Sequence, residues 1–253
     1  RLMAEGVGSV HSGARSCTPE TVFVLTSGTT GVPNLTEHSW ETLWTFRPKK
    51  TESRIWMVPY LTGTYAWYQM ITLGLFVARQ SLVPIDASDL ARAFATAEEA
   101  GVNAVSSTPP FWRMAMLTLG SEVIRSLPLR QITLGGEMVD QSILDRLGDL
   151  FPDARLTHIF ATSEVGPAVV VNDGEAGFPA SWLERPAKRG GPELRVRENA
   201  LEVRTPCSAK AVFSRDEGWL ETGDLVELAA DRVHFVGRKG RKSVLNIGGA
   251  KAS

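Results

Sequence analysis

Residues 131–160, QITLGGEMVDQSILDRLGDLFPDARLTHIF, contain two short apolar runs separated by a segment with helical periodicity. The runs at 131–134 and 156–160 are typical of buried strands. Between them, apolar residues recur at helical spacing after Asp140, which can cap a helix: Ile143, Leu144, Leu147, Leu150 and Phe151. A strand–helix–strand unit of this length predicts a right-handed crossover between parallel strands.

The same alternation extends over residues 1–185. Strand-like runs occur at 21–26, 54–58, 81–85 and 102–105. A second amphipathic segment follows a cap at Ser88 or Asp89, with apolar positions at Leu90, Ala93, Phe94 and Ala97. We therefore predict an α/β fold in which a mainly parallel sheet is flanked by helices.

The pattern changes after Pro186. Short strand-like runs at 193–196, 200–203, 226–228 and 233–236 lie close together without helical periodicity. They predict a smaller antiparallel β subdomain, a partial barrel, over residues 186–236. Residues 237–253 are basic and glycine-rich and are predicted to form a separate connecting segment.

Composition excludes several classes of protein. The 253 residues are 43% hydrophobic, which argues against disorder, and 27 basic residues nearly balance 28 acidic ones. We therefore expect neither a nucleic-acid nor a membrane partner, and no apolar run approaches the ~20 residues of a membrane span. The only cysteines, Cys17 and Cys207, are far apart, which fits a cytoplasmic protein and excludes a disulfide framework.

The most informative motif is the segment TSGTTGVP at residues 26–33, directly after a predicted strand. Hydroxyls and glycines at this density supply many hydrogen-bond donors for phosphate oxygens. A polar surface loop is the alternative interpretation. The mononucleotide-binding pattern GxxxxGK[ST] is not matched, because no lysine follows the second glycine.

This segment resembles the phosphate loop, TSG[ST][ST]GxPK, of the adenylate-forming superfamily, which includes acyl- and aryl-CoA synthetases, luciferases and nonribosomal peptide adenylation domains. The resemblance implies that the loop contacts ATP through catalytic hydroxyls and through glycines that bind the nucleotide: Thr26, Ser27, Gly28, Thr29, Thr30 and Gly31. Asn34 departs from the pattern, since the family usually has lysine there. An amide supplies no positive charge, so we expect weaker attraction for phosphate.

Further segments follow in the family's order. Gly135, Gly136 and Glu137 are similar to the family's GGE turn at the adenine pocket, and residues 160–166, FATSEVG, are similar to its YGxTE segment. By this resemblance Phe160 stacks on adenine, Ser163 contacts the α-phosphate side, and Glu164 is catalytic and binds Mg²⁺. The alternative is that Phe160 belongs to the core and Glu164 is a surface acid.

Two segments near the C-terminal end complete the resemblance. Residues 219–224, WLETGD, match the family's [YW]xxTGD, in which Asp224 would accept hydrogen bonds from the ribose hydroxyls. Residues 235–249 resemble the hinge segment, and Arg238 would reach the ribose or a phosphate. The six basic residues between Arg232 and Lys251 could also form a nucleic-acid patch, but no aromatic platform accompanies them.

The resemblance implies ATP-dependent activation of a carboxylic acid to an acyl-adenylate, then transfer to a thiol. The thiol would be coenzyme A or a phosphopantetheine arm, the latter on an acyl carrier protein. It further implies that this chain is a large N-terminal domain fragment, and that a C-terminal domain carrying the catalytic lysine follows residue 253. We therefore expect nucleotide binding but poor adenylation by this chain alone.

The resemblance also locates the acid pocket, at residues 60–67, at 106–111 and around Gly135. Residues 59–67 contain no acidic side chain to bind an α-amino group, which favours an aryl or aliphatic acid over an amino acid. The aromatic residues Tyr60, Tyr65 and Trp67 could equally belong to the core. Residues 107–113 and 174–179 resemble a compact bacterial acyl-CoA synthetase branch. A non-catalytic nucleotide-binding relative is the competing hypothesis.

Overall fold

A computed structural model describes residues 21–26, 34–45, 52–183, 185, 191–205, 208–209, 217–239, 245–247 and 250–252. The strands are β1 Thr21–Thr26, β2 Asn34–Ser39, β3 Arg54–Val58, β4 Gln80–Pro84, β5 Ala104–Ser107, β6 Gln131–Gly135, β7 Arg155–Thr162, β8 Gly166–Val171, β9 Phe178–Pro179, β10 Glu193–Arg197, β11 Ala200–Arg204, β12 Leu220–Ala229, β13 Arg232–Arg238, β14 Leu245–Ile247 and β15 Ala250–Ala252. The helices are α1 Trp40–Leu43, α2 Tyr65–Phe76, α3 Leu90–Glu99, α4 Pro109–Thr118, α5 Ser121–Arg125 and α6 Gln141–Leu150, with a 3-10 helix at Ala180–Trp182.

The main sheet has six strands in the order β4-β3-β5-β6-β7-β8. Every neighbouring pair is parallel except β7 and β8, which are antiparallel. The sheet is flanked by helices, so the α/β prediction with a mainly parallel sheet is confirmed.

Helices α3 and α6 begin at the two caps that the sequence predicts. The carboxylate of Asp140 accepts a hydrogen bond from the Ile143 amide at 3.1 Å, and that of Asp89 accepts one from the Arg92 amide at 3.1 Å. Each cap satisfies one of the amides that a helix N-terminus leaves unpaired. The apolar stripes of α3 and α6 are buried in one core, with Trp112 of α4 at its centre. No helix in the described part of the chain is long and apolar enough to cross a membrane.

The second sheet is antiparallel, with the order β10-β11-β12-β13-β9. Its core joins Phe178 of β9 to Leu201, Val226 and Val233, and β8 of the main sheet contributes Val169. The predicted smaller antiparallel subdomain is therefore present, and it curls into a half-barrel beside the main sheet.

The N-terminal strand lies outside the main sheet. β1 has the predicted bounds, but it pairs antiparallel with β2, and its link toward the main sheet is an isolated bridge between Leu25 and Thr64. The sequence did not predict β2, because NLTEHS has a single β-branched residue and few apolar ones. Residues 27–33 therefore connect the two strands of a hairpin.

Candidate active site

The motif residues follow the carboxyl ends of neighbouring parallel strands. Tyr60 follows β3, Thr108 follows β5, Gly136 follows β6, and Ser163 and Glu164 follow β7. Because β3, β5, β6 and β7 are parallel, these ends meet at one edge of the main sheet. This edge is where open α/β sheets bind their ligands.

The turn after β6 packs closely against the N-terminus of α4. Gly135 ends β6 and pairs with Ile159 of β7. Gly136 has a φ of +80°, in the left-handed region that favours glycine, and a Cβ there would lie 3.4 Å from Thr108 Cγ2. A side chain at this position would therefore be strained, and Glu137 follows directly.

Tyr60 and Ser106 meet beside this turn. The Tyr60 hydroxyl lies 3.2 Å from Ser106 Oγ. Burial raises the pKa of Tyr60 to about 12, so the phenol is neutral over the physiological pH range. The contact brings together two of the segments, 60–67 and 106–111, that the sequence predicts for the acid pocket.

The turn between β7 and β8 presents a carboxylate. Ser163 Oγ donates to Glu164 Oε2 at 3.1 Å, and Thr162 Oγ1 accepts from the Val165 amide at 3.2 Å. The Glu164 carbonyl accepts from the amide of Ala209 at 2.9 Å. The backbone on both sides of Glu164 is thus held, while its side chain is only partly buried.

Phe160 lies against the second sheet. Its ring stacks on Phe235 of β13, with centroids 4.5 Å apart and planes 24° from parallel. Phe178 also contacts Phe235, with ring centroids 5.9 Å apart. Phe160 is half-buried in this aromatic group, so its contact with adenine stays a prediction.

Asp224 and Arg238 are opposite each other on β12 and β13. Arg238 Nε lies 3.5 Å from Asp224 Oδ1, and Arg238 also donates to the Thr222 carbonyl at 3.2 Å. The Asp224 amide donates to Thr222 Oγ1 at 3.1 Å. Gly223, between Thr222 and Asp224, has a φ of +76°. It lies where the register between β11 and β12 is irregular.

A cavity of about 650 Å³ lies between the turn after β7 and the second sheet. Charged and hydroxyl groups from both layers line it, among them Thr162, Glu164, Glu202, Thr222, Arg238 and Lys239. Of the predicted site residues that the structure describes, Glu164 and Arg238 line this cavity. The others are not part of its lining: Gly135, Gly136, Glu137, Phe160, Ser163 and Asp224. A carboxylate and a guanidinium facing one cavity can bind a ligand that carries both cation and anion.

The model of a protein family described as AMP-binding enzyme matches residues 12–198. The chain belongs to the AMP-binding enzyme family. A search of the curated proteins by sequence finds no significant match. The family membership predicted from the motifs is thereby confirmed.

Solved structures of other AMP-binding enzymes share this fold. The inhibitor-bound N-terminal domain of FACL13 from Mycobacterium tuberculosis aligns with a TM-score of 0.67 and 16% identity over 89% of this chain and 62% of that one. E. coli MenE with bound OSB-AMS aligns with a TM-score of 0.65 and 18% identity, over 93% and 51% of the two chains. o-Succinylbenzoate CoA synthetase (MenE) from Bacillus subtilis aligns with a TM-score of 0.64 and 18% identity, over 90% and 51%.

The TM-scores show a common fold for this chain and these solved structures. This chain spans about half of the length of the two MenE chains. The FACL13 structure is described as an N-terminal domain, and this chain spans 62% of it.

The segment predicted to be the phosphate loop lies between β1 and β2 in the sequence of this AMP-binding family member. Thr26 ends β1 and pairs with Asn34, the first residue of β2, so the two ends of the loop are fixed side by side. The predictions for Ser27, Gly28, Thr29, Thr30 and Gly31 lie outside the described residues, as does most of the hinge segment after Lys239. Their roles remain predictions.

His38 was not among the predicted site residues, yet it connects the loop's hairpin to the turn that carries Glu164. Its Nε2 lies 2.7 Å from the Ser163 carbonyl oxygen, and its Nδ1 lies 3.1 Å from Thr42 Oγ1. Burial lowers the pKa of His38, against the opposing effects of the Ser163 carbonyl and the charge of Glu164. The only sequence signal is a polar strand after the loop, and the partner lies 125 positions away.

A resident metal centre finds no support in the part of the chain that is described. No group of three or more His, Cys, Asp or Glu side chains is placed there to hold a metal ion. Glu164 alone offers a carboxylate to the cavity from the main sheet.

Proposed function

We propose that this chain binds ATP and takes part in activating a small carboxylic acid to an acyl-adenylate, which is then transferred to a thiol such as coenzyme A. The observation that carries the proposal is the cavity in which Glu164 of the main sheet faces Arg238 of the second sheet. Membership of the AMP-binding family supports the nucleotide.

The ribose would lie toward the second sheet and the base toward the main sheet. Asp224 has a carboxylate positioned by Arg238 at 3.5 Å, and a carboxylate can accept hydrogen bonds from both ribose hydroxyls. Arg238 is close enough to the same ligand to contact the ribose or a phosphate. The turn of Gly135, Gly136 and Glu137 and the ring of Phe160 would contact adenine.

Mg²⁺ fits this site as part of the substrate complex. Magnesium is usually held by one or two carboxylates together with substrate phosphates, and Glu164 provides one carboxylate on the cavity. When bound, the ion would neutralise charge on the phosphates. Ser163 keeps the carboxylate oriented through its 3.1 Å hydrogen bond.

In the reaction, an acid carboxylate attacks the α-phosphorus of ATP and pyrophosphate leaves. The protein contributes positioning and charge stabilisation, because the transition state gathers negative charge on phosphate oxygens. The hydroxyls of Thr26, Ser27, Thr29 and Thr30 would donate hydrogen bonds to these oxygens.

The acid is proposed to be aryl or aliphatic. The pocket segment 59–67 contains no acidic residue, and the hydroxyl of Tyr60 within this segment is neutral. The Bacillus subtilis MenE structure holds the product analogue OSB-NCoA, which supports coenzyme A as the acceptor in a protein with this fold. A phosphopantetheine arm of an acyl carrier protein is the other acceptor.

The domain organisation is part of the proposal. Residues 1–185 would bind nucleotide and acid, residues 186–236 would close the nucleotide site, and residues 237–253 would form the hinge toward a C-terminal domain. The relatives with this fold are longer chains, of which this one spans about half in MenE. Poor adenylation by this chain alone follows from the proposal.

A non-catalytic nucleotide-binding protein is the second candidate. Position 34 favours it, because asparagine there supplies no charge at the end of the phosphate loop that is paired with Thr26. Such a relative would bind AMP through Asp224 and Arg238 but gain little from the β- and γ-phosphates of ATP.

Calorimetric titration of the chain with Mg·ATP tests the proposal. Asp224→Ala should weaken binding at least about tenfold, since a charge-assisted hydrogen bond contributes roughly 1.5–3 kcal/mol. Asp231→Ala is the matched control, because Asp231 is exposed in the turn at the other end of the same hairpin and should leave affinity unchanged. Equal affinities of the two variants would contradict the proposed ribose contact.

Asn34→Lys separates the two candidates. A drifted, non-catalytic relative should bind Mg·ATP only after this substitution, whereas a functioning enzyme should bind it beforehand. Asn34→Gln controls for the change of side-chain length. AMP serves as the ligand that lacks the phosphates in question.

A further inference from the structure

We infer that His38 is a positioning residue, which fixes the turn carrying Ser163 and Glu164 against the hairpin that holds the phosphate loop. The expected effect on nucleotide binding rests on the proposed function. The expected effect on the structure of the turn rests on the geometry alone. His38 is fully buried and contacts the Ser163 carbonyl oxygen through Nε2 at 2.7 Å. The two residues belong to different parts of the fold: His38 lies on β2, and Ser163 lies in the turn after β7.

The direction of this hydrogen bond is fixed by its partners. A carbonyl oxygen only accepts, so His38 Nε2 donates to Ser163. On the other side of the ring, Nδ1 lies 3.1 Å from Thr42 Oγ1, and the Thr42 hydroxyl itself donates to the Ser39 carbonyl at 3.0 Å. Thr42 also receives the Ser39 amide at 3.0 Å, so β2 and α1 hold the ring from one side while Ser163 holds it from the other.

The hydrogen bond from His38 reaches the Glu164 carboxylate through Ser163. Ser163 receives His38 on its carbonyl and directs its hydroxyl to Glu164 Oε2 at 3.1 Å. The strand of His38 begins at Asn34, at the end of the phosphate loop. His38 therefore links the position of the Glu164 carboxylate to the position of the phosphates, although it lines no part of the cavity itself.

The chain provides a matched control in His158. This histidine is also buried, and its Nε2 lies 2.9 Å from the carbonyl oxygen of Gly177. It holds the loop before β9 instead of the turn after β7. Substitutions of His158 therefore report the general cost of losing a buried histidine–carbonyl bond.

The experiment compares Leu and Gln at both positions in the full chain. Leucine removes the donor, and glutamine keeps an N–H at about the reach of Nε2. We expect His38→Leu to lower Mg·ATP affinity about tenfold while AMP affinity changes less than about twofold, because partners behind a metal-binding carboxylate commonly contribute tenfold or more. His38→Gln should recover most of the loss, and His158→Leu should change both affinities by the same factor.

Hydrogen–deuterium exchange of residues 162–166 tests the positioning without nucleotide. Exchange there should accelerate in His38→Leu, return toward the native rate in His38→Gln, and stay native in His158→Leu. Unchanged exchange in His38→Leu, or equal behaviour of the Leu and Gln variants, overturns the inference. If the native chain binds neither nucleotide, the proposed function fails, and the exchange rates alone decide the role of His38.

Discussion

At the scale of single residues, burial sets the protonation of two histidines. His38 and His158 each direct Nε2 at a backbone carbonyl, and burial is the largest effect that lowers the pKa of each below the ordinary 6.5. The nearby Asp173 raises the pKa of His158 and Arg232 lowers it, but the net direction is downward. Both rings are therefore neutral at pH 7.

This protonation predicts a pH-dependent stability. The unfolded chain takes up a proton on each histidine below pH 6.5, while the native chain resists it, so the free energy of unfolding falls as the pH drops from 7 toward 5. Each histidine contributes a slope of at most about 1.4 kcal/mol per pH unit. Urea unfolding across this range should show a shallower slope in His158→Gln than in the native chain, and equal slopes would disprove the assignment.

Asp140 and Asp173, two carboxylates with shifted pKa values, titrate outside the range of this test. Burial acts to raise the pKa of Asp140 and of Asp173, but hydrogen bonds from Ser142 and Arg232 respectively help to outweigh it, so both pKa values lie below the ordinary 3.8. Their contribution to stability is present above pH 3.8 and is lost only as the pH falls further. The window between pH 5 and 7 therefore lies above the range in which these two carboxylates lose their contribution.

At the scale of elements, the sequence predicted those parts whose signals are local. The unit β6–α6–β7 was predictable because its cap, its apolar stripe and its strands all lie within residues 131–160. β8 was missed because Gly166 and Pro167 begin it and are typical of a turn. Proline is tolerated there because β8 is an edge strand and its register with β7 is irregular between Phe160 and Ala161.

The candidate site divides in the same way. Glu164, Asp224 and Arg238 could be predicted because each lies in a short motif. The structure places Glu164 and Arg238 on one cavity, and the roles of all three stay predictions. The contact between His38 and Ser163 could not be found, because it depends on how a hairpin and a distant turn pack. A single sequence carries no periodicity that reports such a contact.

The loop before β9 allows a prediction with an internal control. Gly174 and Gly177 both have left-handed φ values, +87° and +75°. A Cβ at Gly177 would lie 2.3 Å from the Val233 carbonyl oxygen, whereas a Cβ at Gly174 meets nothing within 4 Å. Both Ala substitutions carry the left-handed strain of about 1–2 kcal/mol, but only Gly177→Ala also displaces β9 from β13.

We therefore expect urea unfolding to give a free energy about 1 kcal/mol lower for Gly174→Ala and at least about 3 kcal/mol lower for Gly177→Ala. Loss of the contact between His158 and the Gly177 carbonyl would add to the second effect. Similar losses in the two variants would show that β13 yields easily at this contact.

At the scale of the whole molecule, the two sheets share one hydrophobic core. β8 is the last strand of the main sheet, yet its residues Val169 and Val171 are buried in the core of the second sheet. Arg232 of β13 donates to the Ala176 and Gly177 carbonyls at 3.0 and 3.3 Å, and Phe235 stacks on Phe160 of β7. Neither sheet can lose its core without exposing apolar surface of the other.

This shared core predicts a single unfolding transition, and a substitution of Phe235 tests it. Phe235→Ala removes the ring that stacks on Phe160 and should lower the free energy of unfolding by about 2–4 kcal/mol. Because the sheets unfold together, native-state hydrogen exchange should accelerate by the same factor at Ile132 of β6 and Leu201 of β11. Val236→Ala, at an exposed neighbouring position, should change neither rate. Acceleration at Leu201 alone would show that the second sheet opens independently, and the cavity between the sheets would then open without unfolding of the main sheet.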